Sequence, residues 1–150
     1  MLDFFKNIIT TENFAENYDS QKQLQLATCA LFIEVANADD DFSKVENEFI
    51  KKIIKEKFGL EDGLVNELLE ESRLKTEKSI SLYEFTKTIN QFFNKKEKIE
   101  IVKNLWKLVF SDGVMDKYEE HFMRTISNNL HLPHSEMIAT KLEAKEEAKN

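Results

Sequence analysis

Apolar residues along the chain recur at the three- and four-residue spacing of helices, and no segment shows the strict alternation of a strand. In residues 1–9, Leu2, Phe5 and Ile9 share one helical face. Residues 10–18 read as a linker. Asp19 or Ser20 then caps a helix to about Ala38, with the stripe Leu24, Ala27, Leu31 and Val35 broadened by Cys29, Phe32, Ile33 and Ala36. A helix apolar around so much of its circumference belongs at the centre of a fold. Ser43 and Glu46 spell a capping box for the next helix, which carries Phe49, Ile50, Ile53, Ile54 and Phe58. Gly59 stands where a left-handed C-cap belongs.

Residues 62–75 form a helix with Leu64, Val65, Leu68 and Leu69. Ser81 and Glu84 open another, with Leu82, Phe85, Ile89, Phe92 and Phe93. Asn94 caps residues 95–111, whose stripe is Ile99, Val102, Leu105 or Trp106, and Val109. Asp116 and Glu119 take capping-box positions ahead of Phe122, Met123, Ile126 and Leu130. Pro133 interrupts, and Ser135 starts a last helix through Met137, Ile138 and Leu142. The alternating charges from Glu143 onward predict a fraying tail. The expected fold is all-α, of seven or eight helices: residues 1–18 a leading segment and linker, 19–142 the helical domain, 143–150 the charged tail.

Residues 39–53 are written a second time as residues 112–126. The first copy runs Asp39-Asp40-Asp41-Phe42-Ser43-Lys44-Val45-Glu46, the second Asp112-Gly113-Val114-Met115-Asp116-Lys117-Tyr118-Glu119. Phe49 and Ile53 match Phe122 and Ile126, and the helices before the two turns also correspond. Two helix–turn–helix units packed about an approximate dyad are expected.

Composition narrows the classes. Apolar content of 41% beside 33% charge fits a soluble globular domain and excludes a disordered one. Three glycines and one proline leave few breakers, in keeping with helices. The formal net charge of −7 argues against nucleic acid, which demands a basic stripe. Lys51, Lys52, Lys55 and Lys57 cluster, and the plainer reading is a solvated helix face. The single cysteine, Cys29, has no intrachain partner and lies in an apolar run, so it reads as a core thiol. No apolar run approaches the roughly 20 residues of a membrane span, and the chain is expected to be cytoplasmic. Residues 1–9 allow weak membrane-surface contact, though they lack the basic face such helices carry.

The acidic turns hold the candidate chemistry. Ser43, Glu46, Asp116 and Glu119 have a sufficient explanation as caps, worth roughly 0.3–1 kcal/mol per carboxylate at the positive helix end. Asp39 and Asp112 do not, because each follows a helix C-terminus, where carbonyls make the potential negative. A cation would compensate, since carboxylates and helix-end carbonyls are hard ligands suited to Ca²⁺ or Mg²⁺ more than to Zn²⁺. Asx-type turn bonding is the competing account. Neither copy is an EF-hand: Lys44 replaces its glycine, Ile50 its bidentate Glu, and Val114 takes a ligand position.

The pattern Ala38-Asp39-x-x-Phe42-x-x-x-Glu46, with Ser111-Asp112-Gly113-x-Met115-Asp116-x-x-Glu119, resembles the tellurite-resistance TerB family. Phe58-Gly59-Leu60, Leu82-Tyr83-Glu84-Phe85 and the Trp106 helix extend the resemblance over about residues 20–142. Asp40 stands where the family has glycine, and Ser111 where it has alanine. The resemblance implies an all-helical duplicated fold, a link to tellurite or other chemical stress, and an acidic metal-binding site. That site carries onto Asp39, Glu46, Asp112 and Glu119, and extends to Asp41 and Asp116. The family offers no catalytic activity to transfer.

Other chemistry finds no footing. No Glu-x-x-His spacing exists for a di-iron bundle, and no phosphate loop or nucleophile elbow is present. His131 and His134 straddle Pro133 and read as loop residues; His121 reads as solvated. The expected function is a non-enzymatic binding module with a protein partner, whose acidic turns hold a divalent cation or a basic partner. The alternative is a metal-independent scaffold that uses an apolar groove or the N-terminal helix.

Overall fold

Scarce breakers let helices run long. The computed structural model describes residues 11–37, 44–78, 81–111 and 117–148, without the side chains of 11–19, 44–46 and 117–119. Seven helices fill the described residues: α1 (Thr11–Asn37), α2 (Lys44–Phe58), α3 (Asp62–Glu77), α4 (Leu82–Phe92), α5 (Lys95–Phe110), α6 (Lys117–Asn129) and α7 (His134–Ala148). No strand occurs among them, and the expected all-α class holds. The amphipathic segment 1–9 lies outside the described residues.

Helix α1 is the axis. It touches α2, α3, α4, α5 and α6, and the side chains of Cys29, Ala30, Leu31 and Phe32 are wholly buried. The prediction of a central helix follows directly from that all-round apolar surface. The heaviest packing is α5 on α7, followed by α1 on α3 and α4. First helix on third therefore recurs in both halves, and these contacts carry the expected dyad no further than that. Trp106 of α5 is fully buried, stacked on Phe110 at 5.8 Å and covered by the Lys141 ammonium of α7, 5.4 Å from its ring centroid. Its indole N–H meets no acceptor among the described residues.

Local chemistry fixes the helix ends. Gly59 adopts φ +63°, and the Leu60 N–H donates to the Lys55 carbonyl at 3.3 Å, the six-residue closure of a Schellman cap. His131 makes the same turn after α6 with φ 60°, the Leu132 N–H donating to Ser127 at 3.0 Å. Asn94 and Glu97 form a reciprocal capping box: the Glu97 N–H donates to Asn94 Oδ1 at 2.9 Å and the Asn94 N–H to Glu97 Oε1 at 3.1 Å. Ser81 accepts from the Glu84 N–H at 3.4 Å.

Four expectations need correction. Residues 11–18, read as linker, are the first turns of α1. Asp19 and Ser20 looked like a cap, yet each costs an uncapped helix interior well under ~1 kcal/mol, and no Gly or Pro intervenes. The charged tail is helical to Ala148, because Ala144 is fully buried and ion pairs hold its flank. Leu64 and Leu142, placed on apolar stripes, are 51% and 59% exposed. The buried stripe of α7 is Met137, Thr140 and Ala144 instead.

The acidic corners and the helix ends that carry them

Of the six proposed ligands, Asp39, Asp41, Asp112 and Asp116 lie outside the described residues, and Glu46 and Glu119 are placed only as backbone within α2 and α6. What the structure defines is the helix ends around them. Helix α1 ends at Asn37 and α2 begins at Lys44. Helix α5 ends at Phe110 and Ser111 caps it: the Ser111 N–H and hydroxyl both donate to the Leu108 carbonyl, at 3.1 and 2.6 Å. Helix α6 begins at Lys117. In the chain Asp112 thus directly follows the cap of α5, Asp39 comes two residues after the last described residue of α1, and Glu46 and Glu119 are each the third described residue of α2 and α6.

The two junctions share a neighbourhood. Phe49, from the start of α2, and Lys107, Phe110 and Ser111, from the end of α5, line one cavity of about 360 Å³ with Ala144, Glu147 and Ala148 of α7. Phe49 lies five residues into α2, roughly 7.5 Å along its axis from Lys44. The helix end that leads into the second acidic turn therefore sits close to the helix start that follows the first.

The charges beside the two turns differ. Five residues before Asp39 in the chain is Glu34, half-buried, its carboxyl pushed above the ordinary carboxylate range by burial. The matching residue before Asp112 is Lys107, whose ammonium is 2.7 Å from Glu147. Lys103 joins it, 2.8 Å from Glu147 and 3.4 Å from Glu143. Hydrogen bonds from Lys103 and then Lys107 hold the Glu147 carboxyl down at about 2. Sequence reasoning missed this clamp, although a signal was there: lysines at 103 and 107 and glutamates at 143 and 147 share the i, i+4 period.

Elsewhere the plainer readings stand. Among the described residues, no three His, Cys, Asp or Glu side chains converge as a metal-binding group. Cys29 is buried and its thiol pushed up to about 12 by that burial, despite a hydrogen bond with Ser72. The Lys51–Lys55 face is interleaved with acid: Lys55 pairs with Asp62 at 2.8 Å and Lys51 with Glu48 at 3.7 Å. His121, His131 and His134 are exposed. No helix among the described residues is long and apolar enough to cross a membrane.

An all-helical domain in which an acidic helix–helix junction is written twice is the class these observations define. The family described as "Tellurite resistance protein TerB" matches residues 25–142, and the chain belongs to it. Among solved structures, a protein of unknown function from Porphyromonas gingivalis W83 is similar, at 23% identity and TM-score 0.63. The likeness covers 86% of this chain and 89% of that one, and shows a common fold. No curated protein matches.

Proposed function

We propose that this chain is a non-enzymatic binding module of the TerB family, whose two acidic turns hold a divalent cation or a basic protein partner. The observation that carries the reading is positional. Helix α5 ends at Phe110 with Ser111 as its cap, and Asp112 is the next residue in the chain; the described part of α1 runs to Asn37, two residues before Asp39. A carboxylate beside unsatisfied helix carbonyls raises the energy of that helix end. Writing the placement twice, in a chain of net charge −7, favours a positive ligand. Hard oxygen donors select Ca²⁺ or Mg²⁺ over Zn²⁺. Family membership supports a setting in tellurite or other chemical stress, and we place the protein in the cytoplasm.

Calorimetric titration of the metal-stripped full chain with Ca²⁺, Mg²⁺, Mn²⁺ and Zn²⁺ is the test. Heat of binding is expected for Ca²⁺ or Mg²⁺ and is lost in the Asp39→Ala, Asp112→Ala double variant. Unchanged affinity in that variant sinks the cation reading. A metal-independent scaffold is favoured by one specific feature, the apolar part of the cavity at Phe49, Phe110 and Ala144. On that reading partner capture persists in chelator.

A further inference from the structure

The last turns of α7 are held by charge rather than by burial. Beyond Ala144 every described side chain of α7 is exposed, so residues 145–148 add no apolar anchor to the fold. What ties them down stands on α5. The Lys103 ammonium is 2.8 Å from Glu147 and 3.4 Å from Glu143, and the Lys107 ammonium is 2.7 Å from Glu147. Exposed ion pairs are individually weak and are screened by salt. A helix end held in that way opens locally, ahead of the core that the earlier turns of α7 pack. Beside it lies unfilled space: Phe49 of α2 and Phe110 of α5, both half-buried, share a cavity of about 360 Å³ with Lys107, Ala144, Glu147 and Ala148.

We infer that residues 143–148 are an autoinhibitory stand-in for an acidic amphipathic helix of another protein, which docks on α5 and α2 by displacing them. The segment itself shows what that surface recognises. Glu143 and Glu147, four residues apart on one helical side, meet the two lysines; Ala144 and Ala148, at the same spacing beside them, meet the cavity. With the segment away, two ammonium groups lose their carboxylates and two phenylalanine rings border open space, a basic and aromatic groove. The cavity also explains how a partner prevails over a tethered competitor of high effective concentration. Alanines are too small to fill it, so a helix with the same carboxylates and larger apolar residues gains contacts the resident segment lacks. The inference gives a partner to the metal-independent reading of this cavity. None of the six candidate ligand acids takes part, so its outcome and that of the cation titration are separate.

Fluorescence anisotropy on the full chain tests this. The probe is a labelled, helix-stapled peptide of residues 141–148 that carries Ala144→Leu and Ala148→Leu. The full chain bearing Glu143→Lys and Glu147→Lys, whose own tail the α5 lysines repel, is expected to bind it about tenfold more tightly than the native chain, in which the groove is open only part of the time. Equal affinity overturns the proposal, as does the absence of binding to the variant. Adding Lys103→Ala and Lys107→Ala is expected to abolish binding, and persistence without the lysines overturns it too. A second measurement needs no variant. Amide exchange of residues 145–148 in the native chain is expected to be about threefold faster in about 1 M NaCl, where the Debye length is about 3 Å, than in about 0.01 M, where it is about 30 Å. Exchange of residues 101–109 in α5 is expected to stay constant. Salt-independent exchange at the end of α7 means that charge does not hold it, and overturns the proposal.

Discussion

Gly59 and His131 occupy the same backbone well, φ +63° and 60°, at the ends of α2 and α6. No atom lies within 4 Å of where a Cβ on Gly59 would stand, so Gly59→Ala meets no clash and pays only for the left-handed conformation. That substitution is expected to lower stability by about 1 kcal/mol. His131→Gly relieves the same strain while adding freedom to the unfolded chain, and a net gain of about 0.5–1 kcal/mol is expected. Urea titrations of the two variants should move in opposite directions. Cys29 gives a second check at this scale. With its thiol pushed up to about 12 by burial, almost no thiolate exists near neutral pH, and thiol reagents should modify the protein only as fast as it unfolds. Rapid labelling of the native chain would contradict its placement against Ser72.

Among the elements, α7 departs furthest from expectation, and the reason is non-local. Its last turns read as alternating charge, and nothing in residues 143–150 shows that Lys103 and Lys107 stand opposite. The i, i+7 relation of Met137 and Ala144 was present, but one alanine is a faint apolar signal. Caps were legible because their partners lie three residues away: Asn94 with Glu97 and Ser81 with Glu84 are read from adjacent letters. The start of α1 was misread for the same local reason, since a Ser or Asp inside a long helix looks like a cap. The acidic turns were legible as a repeat, whereas their side chains lie outside the described residues. Glu147→Gln tests the clamp. Since folding depresses the Glu147 carboxyl from an ordinary 4.5 to about 2, its contribution is present above pH 4.5 and fades as pH falls toward 2. Lys103 is raised, chiefly by its hydrogen bond with Glu147, so its share is lost only as pH rises through that raised value. In the variant, amide exchange in residues 144–148 should speed up and lose the acid-side step. Global stability should change little, because exposed pairs are screened.

For the molecule as a whole, the consequence of the proposed cation sites is thermodynamic. A ligand that binds only the folded chain stabilises it by about 2.7 kcal/mol at a hundredfold excess over Kd, or on the order of 5–10 °C in Tm for a domain of this size. Ca²⁺ or Mg²⁺ should produce such a rise where NaCl of equal ionic strength does not, and Asp39→Ala with Asp112→Ala should remove the difference. An equal response to both salts would reduce the effect to screening of the net charge of −7. Helix α1 touches α5 and α2 touches α5, so the two halves meet through packed helices.

Trp106 is the only tryptophan, and it is sealed between Phe110 and the Lys141 side chain at the seam of α5 and α7. A fully buried indole whose N–H meets no acceptor among the described residues emits toward the blue, and its spectrum moves red once that seam opens. The protein therefore carries its own optical gauge, seated one helical turn from Phe110 and Ser111, and ultraviolet light alone can follow whether a ligand at the second junction tightens or loosens the helices beneath it.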